Sequence, residues 1–191
     1  MGKIVLVTGG ARSGKSRFAE QYAMRFGKNV AYIATAGVYD EEMAFRVKLH
    51  RERRPQDWHT WEAPEDAHRA IEAAGETHDM ILFDCLTLYI SNLLCALENV
   101  RDSAANYALI REKIGLLLET AKKQAGTTIF VTNEVGAGIV PENHLAREYR
   151  DITGIANQLT AREAAEVYFV SCGIAVDFKK LAVPWQDGEM E

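Results

Sequence analysis

The chain has 191 residues, 48% hydrophobic and 26% charged, a balance that suits one folded domain with a sizeable core and excludes a disordered or low-complexity chain. Its formal net charge of −5 excludes a nucleic-acid-binding surface spread over the whole protein, though not a local basic site. Cys85, Cys95 and Cys172 have no paired spacing, which fits reduced thiols in a cytoplasmic protein better than a disulfide framework or a zinc site.

The chain enters its first strand without a charged and apolar leader, and no apolar run reaches transmembrane length. A cytoplasmic protein with no transmembrane segment is therefore expected. Lys3-Ile4-Val5-Leu6-Val7 reads as a buried strand. Gly9, Gly10, Ala11, Arg12, Ser13, Gly14, Lys15 and Ser16 follow. They fit the phosphate-loop pattern G-x-x-x-x-G-K-[ST] at every fixed position. The glycines let several backbone N–H groups point at a phosphate, and a following helix N-terminus adds partial positive charge. In this pattern Lys15 reaches the β- and γ-phosphates and the Ser16 hydroxyl ligates magnesium. Arg17 to Phe26 supplies the helix, with Phe18, Tyr22 and Phe26 four apart on one face.

Gly27 is a helix stop, and Asn29 to Thr35 reads as a second strand. Thr35, Ala36 and Gly37 make a small-residue turn at its end, which either borders a nucleotide or simply connects elements. Asp40 to about Arg53 reads as a helix capped by Asp40, with Glu41 and Glu42 in the first turn. Arg46, His50, Arg53 and Arg54 share one side of it. Such arginines attract phosphate and favour a neutral imidazole at His50. The plainer alternative is a basic surface helix. Pro55 closes the segment.

Asp57 to Glu62 reads as a short strand in which Trp58 and Trp61 pack. Ala67 to Ala74 is a short helix ended by Gly75, with His68 and His78 at the surface. Met80 to Asp84 is a buried strand ending in a carboxylate, the usual form of the second phosphate-loop signature that holds magnesium or its water. Leu86 to Leu97 is an apolar helix. Ala104 to Lys123 is an amphipathic one with Ile110, Ile114, Leu117 and Leu118 inward. Thr127 to Thr132 is a strand. The polar loop Asn133 to Gly138 beyond it is a candidate for substrate contact. Glu142 to Arg162 reads as a capped helix carrying Arg147, Arg150 and Asp151. Glu166 to Ser171 is a strand, and Gly173 to Val176 extends the sheet edge.

Alternating strands and helices predict an α/β fold of phosphate-loop NTPase type, a mainly parallel sheet flanked by helices. One nucleotide-binding domain is expected over residues 1–180. It carries an insertion at about 38–74 over the nucleotide side, and a loose tail covers 181–191.

The run Thr8 to Ser16, the segment Arg46…His50…Arg54-Pro55, the run Val131-Thr-Asn-Glu-Val-Gly136 and Ile139-Val-Pro-Glu-Asn143 together resemble the bifunctional adenosylcobinamide kinase/adenosylcobinamide-phosphate guanylyltransferase family. The resemblance extends to about Lys179. It implies that adenosylcobinamide is phosphorylated from ATP or GTP, with Mg2+. GMP is then moved from GTP to that phosphate, giving adenosylcobinamide-GDP and pyrophosphate. It also implies a guanylylated histidine at His50, where Leu49 replaces a second histidine that some relatives carry. Nucleotide contacts are implied at Gly9 to Ser16, Thr35, Ala36, Gly37, Arg51, Glu52, Arg53, Arg54, Glu62 and Asp84, and a homotrimer is implied as the assembly. Asp84 and Glu134 are candidates by position for the base of the kinase step. Two alternatives stay open, a simple phosphate-loop small-molecule kinase without the guanylyl step and a regulatory nucleotide-binding module.

Overall fold

In the computed structural model the described residues are 1–37, 51, 54–97 and 103–183. Among the described residues seven strands form one sheet: β1 (Lys3–Thr8), β2 (Val30–Ala34), β3 (His59–Glu62), β4 (Met80–Asp84), β5 (Thr127–Val131), β6 (Glu166–Ser171) and β7 (Ile174–Asp177). Their order is β3-β2-β4-β5-β1-β6-β7, parallel throughout except for the antiparallel pair β6 and β7. The helices are α1 (Lys15–Phe26), α2 (Ala67–Gly75), α3 (Leu86–Cys95), α4 (Ser103–Lys123), α5 (His144–Glu163) and the single turn α6 (Phe178–Leu181).

The central strands are apolar at almost every position because both faces of the sheet are covered. Successive residues supply two separate cores, as the strand period of two requires. Ile4, Leu6, Ile33, Ile81, Phe83 and Phe130 face one way and pack with α2, α3, α4 and α5. Val5, Val7, Tyr32, Leu82 and Ile129 face the other way and meet Ala19, Tyr22 and Ala23 of α1. Burying one such Ile, Leu or Phe contributes about 1.5–3 kcal/mol. The sheet therefore holds the strand ends rigidly enough to carry chemistry at its rim.

α1 starts at Lys15, two residues before the expected Arg17, so Lys15 and Ser16 lie in its first turn. It stops at Gly27, whose N–H donates to the Ala23 carbonyl at 2.8 Å. Tyr22 is buried, but Phe26 at the outer end of the predicted aromatic stripe is 59% exposed. α5 begins where the Asn143 side chain accepts a hydrogen bond from the Ala146 N–H at 3.2 Å, an N-cap.

The described part of residues 38–74 belongs to the sheet and core. β3 pairs in parallel with β2 at the sheet edge. Ala67, Ile71 and Ala74 of α2 are fully buried in the core, with Trp61 packed against them. His78 is half-buried and meets the Trp61 ring edge-on at 5.1 Å, so it packs against the edge strand. The helix expected from Asp40 to Arg53, with Arg46 and His50, lies outside the described residues apart from Arg51. So do residues 184–191 of the tail.

Candidate active site at the carboxyl ends of the strands

β1 runs straight into the phosphate loop. Arg12 (φ 57°) and Gly14 (φ 98°) take left-handed backbone, and the chain then turns into α1. Only glycine adopts the Gly14 conformation without strain, and a Cβ there would also lie 3.1 Å from the Gly173 Cα. At Gly9 a Cβ would sit 2.3 Å from the Val170 carbonyl oxygen. Both approaches come from β6 and its turn into β7. Gly173 N–H donates to the Ser13 carbonyl at 2.8 Å, so the β6–β7 turn braces the loop from below. Ser13 Oγ is buried with no hydrogen-bond partner among the described residues.

Lys15 Nζ reaches back across the loop to the Gly10 carbonyl at 3.2 Å. Burial pulls the ammonium below its ordinary pKa, opposed by Cys85 and Asp84. Lys15 and the carboxylate at the end of β4 are thus electrostatic neighbours, although β5 lies between β4 and the strand that leads into the loop. That neighbourhood suits magnesium, which takes one or two carboxylates and completes its octahedron with waters and phosphate oxygens. Among the described residues no group of three or more His, Cys, Asp or Glu could hold a metal.

Asp84 is held from the side. The Tyr32 hydroxyl on β2 donates to Asp84 Oδ2 at 2.9 Å. Burial, then the Asp84 charge, raises the Tyr32 phenol well above its ordinary value, so it stays a donor. The Arg54 guanidinium lies 3.4 Å from the centre of the same ring. Next to Asp84, the Cys85 thiol is pushed up to about 11 by burial, then by Asp84, and rests 2.9 Å from Thr87 Oγ1. It is a packing thiol rather than a nucleophile.

Thr35 is fully buried. Its hydroxyl donates to the Cys85 carbonyl and accepts from the Cys85 N–H, both at 2.8 Å, and its carbonyl accepts from Asn92 Nδ2 at 2.8 Å. Thr35 therefore pins the β2 end to the β4 end, which leaves half-buried Ala36 and Gly37 nearer the surface. Glu62 ends β3 at the outer edge and pairs with Arg51 at 2.5 Å. Both partners are mostly exposed, so the pair adds little stability. Glu52, Arg53 and His50 lie outside the described residues.

The loop after β5 leaves the sheet between the carboxyl ends of β4 and β1. Thr8 Oγ1 donates to Glu134 Oε1 at 2.5 Å, and Asn157 Nδ2 of α5 donates to the same oxygen at 3.2 Å. Asn157 also bonds the Asn133 carbonyl at 3.1 Å and accepts from Thr132 Oγ1 at 2.7 Å. The Glu134 N–H donates to the Gly9 carbonyl at 3.3 Å. Glu134 is thereby fixed beside the phosphate loop. Arg147 donates to the Pro141 and Glu142 carbonyls, and Arg150 to that of Gly136, so both shape this loop. Tyr32 and Asn157 were missed in the sequence. A tyrosine inside an apolar strand was the available signal for the first, because a buried hydroxyl needs a partner. Asn157 carries no local signal.

Comparison with known proteins identifies the family. A family profile described as cobinamide kinase / cobinamide phosphate guanyltransferase matches residues 5–178. The chain belongs to this family. The bifunctional adenosylcobalamin biosynthesis protein CobU of Salmonella typhimurium is 43% identical over 181 residues, covering 92% of this chain and 99% of that protein. The Escherichia coli CobU is 40% identical over the same shares. The Pseudomonas aeruginosa CobP is 39% identical over 174 residues, 91% of this chain and 96% of that one. Among solved structures, a RadB recombinase superposes with a TM-score of 0.48 at 18% identity, over 87% of this chain and 73% of that one. The phosphate loop, Asp84 and Glu134 of this cobinamide kinase / guanyltransferase family member all lie within the matched span. None of its described helices is long and apolar enough to cross a membrane.

Proposed function

We propose that this protein phosphorylates adenosylcobinamide from ATP or GTP and then transfers GMP from GTP to the product, giving adenosylcobinamide-GDP and pyrophosphate. The observation that carries this reading is the convergence of the phosphate loop, Lys15, Asp84 and Glu134 at one rim of the sheet in a chain matched by the family from residue 5 to 178. Gly9 to Ser16 cradle the nucleotide phosphates. Ala36, Gly37, Glu62 and the Arg51 to Arg54 segment border the nucleotide, while Thr35 shapes its wall. Ser16 and Asp84 hold magnesium, which when bound neutralises charge on the phosphates.

In the kinase step the substrate hydroxyl oxygen bonds to the γ-phosphorus, the bond to the nucleoside diphosphate breaks, and the hydroxyl proton goes to a base. Glu134 suits that role better than Asp84. Asp84 is bonded by Tyr32 and committed to the metal side. Among the described residues no hydrogen bond reaches Glu134 Oε2, while Oε1 is fixed beside Gly9. In the guanylyl step His50 attacks the α-phosphorus, pyrophosphate leaves, and the substrate phosphate then displaces the imidazole. A cytoplasmic homotrimer belongs to the same reading and is supported by family resemblance alone. Mass spectrometry after exposure to GTP tests the reading. One covalently bound GMP per chain is expected with GTP and none with ATP. An unmodified protein that still phosphorylates adenosylcobinamide would establish the simple-kinase alternative instead.

A further inference from the structure

We propose that Tyr32 is a positioning residue that couples the Arg54 segment to the Asp84 carboxylate, so that one ring serves both the metal side and the guanylyl side of the site. This rests on the reading of Asp84 and Arg54 given above. β2 and β4 pair with Tyr32 opposite Leu82 and Ala34 opposite Asp84. Residues 32, 34, 82 and 84 therefore share one face of the sheet. Tyr32 is two residues short of Asp84 in register, a diagonal that an aromatic side chain can span. Its hydroxyl closes that diagonal at 2.9 Å from Asp84 Oδ2. The ring is only 3% exposed, so the tie is shielded from water.

Two separate parts of one side chain are in use. The hydroxyl edge orients the carboxylate, leaving Oδ1 for magnesium or its water. The ring face seats the Arg54 guanidinium at 3.4 Å. A phenol fixing a metal-side carboxylate is an outer partner of the kind whose loss weakens metal binding. A guanidinium on a desolvated ring is held by the ring quadrupole and by packing. Arg54 lies four residues beyond His50 in sequence.

The two contacts separate by substitution. Tyr32→Phe removes the hydroxyl and keeps the ring face. Tyr32→Met removes both while an unbranched side chain fills the space. Mn2+ binding in the presence of a non-hydrolysable GTP analogue is read from the electron paramagnetic resonance signal of free Mn2+. Circular dichroism checks the fold. Acid-labile label from α-labelled GTP is followed at saturating magnesium. Tyr32→Phe should weaken Mn2+ binding by roughly tenfold, as for loss of a partner that orients a metal-side carboxylate, and slow labelling less than Tyr32→Met does. Tyr32→Met should weaken Mn2+ similarly and also slow labelling roughly five- to thirtyfold, the factor for losing a desolvated cation–π contact. Asp84→Asn separates the two levels of the reading. If it weakens Mn2+ while Tyr32→Phe binds like wild type, the tie to Asp84 is refuted and the metal reading stands. If Asp84→Asn binds Mn2+ normally, the metal reading falls and takes the tie with it. Equal labelling by the Phe and Met variants refutes the seat for Arg54. An unlabelled wild-type protein overturns the guanylyl role and that seat together.

Discussion

Replacing Lys15 by Ala should cut both activities while leaving the fold as stable as before, or slightly more so. In the folded protein the Lys15 ammonium is partly withdrawn from water, and its pKa is lowered by burial against the opposing Cys85 and Asp84. A lysine with a depressed folded pKa binds its proton less tightly in the native state than in the unfolded chain. At neutral pH both states are charged, so the full desolvation penalty is present and is relieved only as pH rises past the folded value. Its hydrogen bond to the Gly10 carbonyl, at 3.2 Å, is exposed and offsets little of that penalty. Deleting the side chain removes the penalty. The transition state, in contrast, loses a donor aimed at the transferring phosphate, worth about 2.7–4 kcal/mol, or roughly 10²–10³ in kcat. Thermal unfolding and initial rates of both reactions, measured on one preparation, make the test. Unchanged or raised Tm with rates down by that factor supports the assignment. A Tm that falls by several degrees with only a matching loss of rate would show that Lys15 is a structural residue, and near-normal turnover in a folded variant would refute the phosphate-loop reading.

His50→Ala should abolish acid-labile labelling by α-labelled GTP and stop adenosylcobinamide-GDP formation, with phosphorylation of adenosylcobinamide largely intact. His59→Ala should keep the label, because His59 stacks on Trp61 at 3.9 Å on the edge strand. The reverse pattern would move the nucleophile to His59. Glu134→Gln keeps an oxygen for Thr8 and should slow the kinase step by on the order of 10²-fold, leaving His50 labelling at its normal rate. Loss of both in equal measure would make Glu134 a support for the loop instead. Glu166 is bonded by Lys3, Tyr22 and Tyr168, and these hydrogen bonds hold its carboxyl below the usual value although burial works the other way. Its contribution is present above the ordinary glutamate range and is lost as pH falls through the lower folded value. Glu166→Gln should thus be less stable than wild type at pH 7, with the difference closing below about pH 4 in urea titrations. A difference that persists unchanged at acid pH contradicts the assignment.

The phosphate loop was legible in the sequence because its requirements are local. Gly14 must take φ 98°, and Lys15 and Ser16 must open the helix, whatever packs around them. The buried strands were equally legible, since short apolar runs rich in valine and isoleucine and bounded by turn residues fit strands covered on both faces. A capped helix from about Glu142 was legible for the same reason, and the structure makes Asn143 the cap, three residues from the N–H it serves. What only the tertiary structure decided is which distant residues these local pieces meet. β3 enters the sheet as its edge rather than lying over it, because parallel pairing with β2 depends on register and not on composition. Tyr32 meets Asp84 across 52 positions of chain, Thr35 meets Cys85 across 50, and Thr8 meets Glu134 across 126. The turn of β6 into β7 supports a loop formed some 160 residues earlier, a separation set by strand order. Periodicity reports which face a side chain takes, but the partner on that face is chosen by how the strands line up.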